Sequence, residues 1–309
     1  MAYWSCGISP ARTAPALGEV EGDRIAVEGA MAHVRQMDLA GVTGHVGDTM
    51  RYALAGGGKR MRGLLLLSAY RAAGGIEDAS GLAASVEIVH AYSLIHDDLP
   101  CMDDDDMRRG RPSAHVAFSV TGAAAAGAAL IPLAAKVAHR AGRHLRLPEH
   151  DCCTIVNVLM RAAGAGGMIA GQVLDLEGEG GTLSRAALDR IHAAKTGALI
   201  SAAVRMGGMG AGATTEKLDA LDRFGSCIGL AFQIMDDILD VTSSTDKLGK
   251  TAGRDFALGK STYPALLGVE GAIAEANSRI GEGCTALQNN GLLTAELNSL
   301  ASFTVSRSH

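Results

Sequence analysis

The sequence predicts an all-α fold: a single-domain helical bundle around a central cleft. Three observations carry this. Aromatic residues are only 4% of the 309-residue chain, while Gly contributes 40 residues and hydrophobic types 48%. That composition suits close-packed helices better than sheets of β-branched and aromatic side chains. Apolar residues recur at helical spacing, as in Val86, Ile88, Val89, Tyr92, Leu94 and Ile95. No internal repeat or low-complexity linker demands a second domain.

Taken in order, residues 1–24 read as a loose leader, with Pro10, Pro15 and several glycines, before one domain over 25–309. Met1 to Leu17 lacks a basic region followed by an apolar core, so no secretory signal is expected. Apolar spacing predicts helix from Ile25 to Leu54. Gly56-Gly57-Gly58-Lys59-Arg60-Met61-Arg62 then places a glycine-rich turn and cations before the next helix, a plausible anion site. The next helix, from Ser80, feeds Asp97 and Asp98, and four more aspartates follow at 103 to 106. Pro100 removes a helical N–H and pushes Leu99 off helical angles, a break that brings Asp103 back toward Asp97. His90 lies seven before Asp97, on nearly the same helical face. Arg108 and Arg109 are adjacent, so their side chains diverge and can serve two different anions.

Val116 to Ala135 is uncharged for 20 residues, but Ala and Gly bring little transfer energy, so a buried helix is expected and no transmembrane segment. Pro132 should kink that helix. Gln172 and Asp175 lie on a further helix; Lys195 and Thr196 precede another; Met206 to Thr215 reads as a Gly-rich connection. Leu218 to Asp240 forms the second acidic helix, with Asp236 and Asp240 four apart on one face, Asp237 beside them and Gln233 a turn earlier. Lys250 and Lys260 follow. Carboxylates clustered at the ends of apolar helices are costly without a counter-charge. Hard oxygen ligands of this kind suit Mg²⁺, bound by carboxylates together with substrate phosphates. A net charge of −5 argues against nucleic acid. Six cysteines without a C-x-x-C pair read as free thiols in a reducing compartment.

The stretches D-D-L-P-C-M-D, at 97–103, and D-D-I-L-D, at 236–240, resemble the two aspartate-rich motifs of the trans-isoprenyl diphosphate synthases. The resemblance runs from about Gly56 to the C-terminus. It implies the helical fold of that family, a homodimer, a cytoplasmic location and about three Mg²⁺ ions per site. It assigns Asp97, Asp98, Asp103, Asp236, Asp237 and Asp240 to metal, and Asp97, Asp103, Asp236 and Lys195 to the catalytic centre. It assigns Lys59, Arg62, His90 and Arg109 to isopentenyl diphosphate. Arg108, Lys195 and Thr196 go to the allylic diphosphate's side, with Gln233, Lys250 and Lys260 as further substrate contacts. Tyr92 and Ser93, five and four residues before Asp97, are similar to the pair that sets a short product, which implies farnesyl diphosphate; geranylgeranyl diphosphate is the alternative. Ala128 stands where the family usually has Asp, the aromatic expected in the next turn is missing around Ala134 and Ala135, and Gly63 replaces a usual Pro. These departures put the pocket wall in question and predict a loosened helix start at Gly63. A terpene cyclase or a non-catalytic synthase subunit would share the fold.

Overall fold

The computed structural model describes residues 14–178, 180–181, 183–242 and 260–306. Its helices are α1 (Ala14–His33), α2 (Gly44–Leu54), α3 (Met61–Ala72), α4 (Ser80–Asp97), α5 (Ala114–Ala117), α6 (Val120–His144), α7 (Glu149–Ala163), α8 (Met168–Glu177), α9 (Arg185–His192), α10 (Ala198–Gly210), α11 (Thr215–Thr242), α12 (Tyr263–Asn289) and α13 (Ala295–Ser306). Two π-helical turns, Val34–Asp38 and Ala193–Gly197, continue α1 and join α9 to α10. The only strands among the described residues are β1 (Met107–Arg108) and β2 (Arg111–Pro112), an antiparallel pair. Arg109 and Gly110 form its two-residue turn, both with positive φ, as a tight hairpin requires.

α4 runs through the middle. Leu82, Ala83, Ala84, Val86, Ile88 and Val89 are all fully buried, because α1, α2, α3, α6 and α10 surround the helix. α11 is the opposite wall of the cleft, packed against α10, α12 and α13. α3 and α10 lie against one another between these walls. Met206 to Gly210, expected as a connection, are the last turns of α10 instead. Gly207 allows this, since a Cβ there would lie 2.4 Å from the Leu66 carbonyl of α3. The connection is only Ala211 to Thr214.

Other expectations are corrected too. α1 begins at Ala14, inside the stretch read as a leader, and Arg71 of α3 donates to Asp23 at 2.8 Å, tying α1 down. The helix expected over Ile25–Leu54 is interrupted between Asp38 and Gly44, where Gly44 takes φ 76°. A kink at Pro132 bends a helix without ending it, so that expectation stands uncorrected: Pro132 lies inside α6, which is continuous over 25 residues. It has the length and hydropathy of a membrane span, yet its inner face packs on α2, α4 and α7 as a core helix. The helix start at Gly63 is not loosened: its N–H donates to Glu87 of α4 at 3.0 Å. A proline there could not make that bond. Ala128 is exposed on the outer face of α6 and Ala134 is buried in the core, so neither departure lines the cleft.

Candidate active site

α4, α8, the π-turn and α11 enclose a cleft of about 330 Å³. Its lining includes Asp97, Asp103, Asp105, Asp236 and Asp237, and facing them Arg62, His90, Arg108, Lys195 and Lys260. The break after α4 does what Pro100 predicts. The Asp103 amide donates to the Asp97 carbonyl at 2.8 Å and the Asp104 amide to the Leu99 carbonyl at 3.1 Å, so the loop folds back under its first aspartate. Gln172 of α8 donates to Asp103 at 3.2 Å, while its other side-chain atom, Oε1, is buried without a protein partner among the described residues.

Asp97 is pushed up to about 7, by burial first and then by Asp103 and Asp98, with Lys195 and Arg108 opposing. For a carboxylate in that position burial outweighs the cations already near it, and a divalent ion would add the missing counter-charge; the aspartates named around this space fit Mg²⁺. Asp98 and Asp240 do not line the cleft. Asp98 is buried against Arg108, whose Nε donates to it at 3.0 Å and whose Nη2 also reaches Asp105 at 3.2 Å. Asp240 is buried one turn beyond Asp236. Gln233 donates to Asp236 at 3.0 Å. Asp237 accepts from the Tyr263 amide at 2.9 Å and meets His192 at 3.4 Å.

On the cationic side, Lys195 and Lys260 both donate to Asp175, at 2.6 and 3.1 Å. Burial alone would lower the Lys195 pKa, but Asp175, Asp103 and Asp97 outweigh it and raise it, so the ammonium stays charged inside the cleft. The π-turn sets its position: α8 approaches so closely that a Cβ on Gly171 would fall 2.2 Å from the Lys195 amide. π-turns concentrate at functional sites, and this one presents both Lys195 and Thr196 to the cleft.

Arg109 diverges from Arg108 as expected, bonding the Gly57 carbonyl and lying 3.3 Å from His90 Nε2. Burial and then Arg62 and Arg109 hold the His90 imidazole well below its ordinary pKa. With Arg109 donating to Nε2, the network assigns the proton to Nδ1. That atom and Arg62 Nε are buried with no hydrogen-bond partner among the described residues. Two such donors fit an anion. Lys59 stands apart from the cleft lining, its ammonium 5.4 Å from the Phe303 ring centre. Lys250 lies outside the described residues.

Ser93 lines the cleft. Tyr92, beside it in α4, is 2% exposed. Its hydroxyl donates to the Ala163 carbonyl at 2.5 Å, capping the end of α7, and its ring meets His96 edge-on at 5.6 Å. Burial, then the Asp97 charge, raises the phenol to about 12, so it remains a donor. Sequence reasoning missed Asp105 and His192 as site residues. Asp105 lay unmarked in the acidic run, and nothing local marks His192, which the end of α9 brings to Asp237.

The polyprenyl synthetase family profile matches residues 44–289. The chain is 45% identical over 265 residues to farnesyl diphosphate synthase of Escherichia coli, covering 84% of this chain and 88% of that one. It is 46% identical over 227 residues to geranylgeranyl pyrophosphate synthase 11 of Arabidopsis thaliana, covering 72% and 63%. A geranyltransferase of Helicobacter pylori, solved with magnesium and isoprenyl diphosphate, superposes with a TM-score of 0.79 at 30% identity, over 96% of this chain and 98% of that one. With the paired aspartate groups facing a cationic wall, these likenesses place the chain in the polyprenyl synthetase family, as a prenyltransferase.

Proposed function

We propose that the cleft joins isopentenyl diphosphate to dimethylallyl or geranyl diphosphate and releases farnesyl diphosphate. Tyr92 carries the product assignment: a bulky, fully packed ring one residue from the cleft lining, fixed at both its hydroxyl and its edge. Asp97, Asp103, Asp236 and Asp237 would hold Mg²⁺, with Asp98 and Asp240 behind them. When bound, Mg²⁺ acts as a Lewis acid on the charge that develops on the leaving diphosphate.

The chain's own residues do the rest. Lys195, Lys260 and Arg108 hold the allylic diphosphate, and Arg62, His90 and Arg109 hold isopentenyl diphosphate. Arg62 and the His90 Nδ1–H each bring a buried donor to that anion. The allylic C–O bond breaks with its electron pair leaving on the diphosphate oxygen. The double bond of isopentenyl diphosphate attacks the allylic cation, and loss of a proton to the departed diphosphate restores an alkene. The work of the protein is placement and charge stabilisation; no protein nucleophile takes part. Free thiols at Cys101, Cys152, Cys153, Cys227 and Cys284 accord with a cytoplasmic enzyme. Val116 and Val120, about half exposed near the start of α6, offer apolar surface to the second subunit of a homodimer.

The growing chain runs down α4 from Asp97 toward Tyr92, about 7.5 Å away at ~1.5 Å per residue. Chromatography of products made from labelled isopentenyl diphosphate, with and without Mg²⁺, tests the reading. The expected result is Mg²⁺-dependent fifteen-carbon product, and longer product from Tyr92→Ala, because a deleted ring opens space for hydrocarbon. Mainly twenty-carbon product from the wild type would replace the assignment with geranylgeranyl diphosphate, the activity named for the Arabidopsis relative.

A further inference from the structure

The reaction makes no use of one cluster of donor groups at the far end of the bundle. His139 sits near the end of α6, and Glu149 opens α7 with Cys153 one turn on, on the same face. His139 Nε2 is 2.7 Å from Glu149 Oε1, and Cys153 Sγ is 3.9 Å from that same oxygen. All three donor atoms lie within 4.8 Å of one another. We propose that His139, Glu149 and Cys153 form a binding site for a zinc-class transition-metal ion, separate from the carboxylate cleft, which staples α6 to α7.

The connection between the helices fixes this approach. Arg146 takes the left-handed conformation at φ 60°. The Leu147 amide bonds the Gly142 carbonyl at 3.1 Å and the Arg146 amide bonds the Arg143 carbonyl at 3.0 Å. This is a Schellman turn, which ends α6 abruptly and satisfies its last carbonyls. The adjacent cysteines then divide. Cys152 is buried with its thiol 3.7 Å from the Leu147 carbonyl, while Cys153 is exposed and faces Glu149.

The donor chemistry selects the ion. An imidazole nitrogen, a carboxylate and a thiolate suit Zn²⁺, whereas Mg²⁺ and Ca²⁺ take oxygen ligands. One carboxylate and one thiolate also match a divalent charge. A tetrahedral ion with ~2.0–2.1 Å bonds to N and O and ~2.3 Å to S spreads its ligands about 3.3–3.7 Å apart. The three atoms reach that spacing by shifts of about 1 Å or less, small for partly exposed side chains. Arg143 strengthens the case. It donates to Glu149 Oε2 at 3.1 Å, so it orients the carboxylate while Oε1 still faces His139 and Cys153, the part an outer hydrogen bond plays for a metal ligand.

The test uses the full chain, stripped with a chelator and titrated with Co²⁺ as a spectroscopic stand-in for Zn²⁺. The expected result is a thiolate-to-cobalt charge-transfer band that saturates at one equivalent and is displaced by Zn²⁺. The band is lost in Cys153→Ser and kept in Cys101→Ser, which removes the thiol in the loop beside the carboxylate cleft. His139→Gln weakens Co²⁺ binding by about tenfold or more. In the wild type, Zn²⁺ but not Mg²⁺ slows alkylation of Cys153, read by peptide mass spectrometry. A missing band, a band that survives Cys153→Ser, or alkylation indifferent to Zn²⁺ overturns the proposal.

Discussion

Replacing Asp97 by Asn should strengthen the metal-free fold while destroying the enzyme. In the folded chain Asp97 is raised to about 7, chiefly by burial and by Asp103; an unfolded Asp titrates near ~3.9. The sign follows from linkage. The native state binds this proton more tightly than the unfolded state, so ionisation costs stability. The cost is absent below the unfolded value, grows as pH rises between the two values, and is complete above about 7. Roughly 3 units at ~1.36 kcal/mol each give about 4 kcal/mol as a ceiling, and solvent in the open cleft reduces this to about 2–4 kcal/mol. Urea unfolding with chelator present should therefore show Asp97→Asn more stable than wild type by that amount at pH 8. The gap should shrink to about 1 kcal/mol at pH 5, where the native wild-type carboxyl is already protonated. Saturating Mg²⁺ should narrow the gap at pH 8, because the ion binds the folded wild type and stabilises it by mass action. A variant no more stable at pH 8, or a gap that ignores pH, would refute the account of Asp97 as a carboxylate held in waiting for a cation.

Further tests reach other parts of the site. Asp237→Ala should lower turnover about 10³-fold, the scale of several kcal/mol of lost charge stabilisation, with an unchanged helical circular dichroism spectrum; wild-type rates at saturating Mg²⁺ would contradict it. Steady-state kinetics should separate the two anion sites, Lys195→Ala raising KM mainly for the allylic substrate and Arg109→Gln mainly for isopentenyl diphosphate; the same substrate weakened in both would deny the division. Glu87, 2% exposed, accepts from Gly63 and lies 3.5 Å from the buried Arg60. Glu87→Ala should cost about 3 kcal/mol in urea unfolding, and a loss under 1 kcal/mol would show that Glu28, bonded to Arg60 at 2.7 Å, suffices alone.

Much of the site could be read from the chain because its key residues announce themselves locally. Apolar helical runs ending in aspartates gave both walls of the cleft, and Pro100 gave the return of Asp103. What escaped was held by tertiary contact. Asp98 reads as one of a pair with Asp97, yet adjacent helical residues diverge by about 100°, and the hairpin places Arg108 on Asp98. Lys59 reads as part of the cationic turn, but the C-terminal helix offers it the Phe303 ring. The early start of α1 was hidden by Pro15, a residue tolerated in the first turn of a helix, where the missing N–H has no partner to lose. At Gly63 the sequence shows a lost proline, and only packing shows the Glu87 carboxylate that uses the amide.

The π-turn at Ala193–Gly197 also acts as a phase adjustment between two stretches of one rod. It holds one residue more than an α-helical path of the same span. Upstream, His192 faces Asp237; downstream, Leu199, Ala203 and Met206 face the core. Deleting Ala194 would leave a helix with better local geometry, but it would turn the upstream face by about 100° against the downstream one. His192 and the α10 core residues would then compete for one orientation. Substitutions here change a side chain, whereas a change of length by a single residue moves a whole face, so the spacing from His192 to Leu199 is itself a determinant of the site.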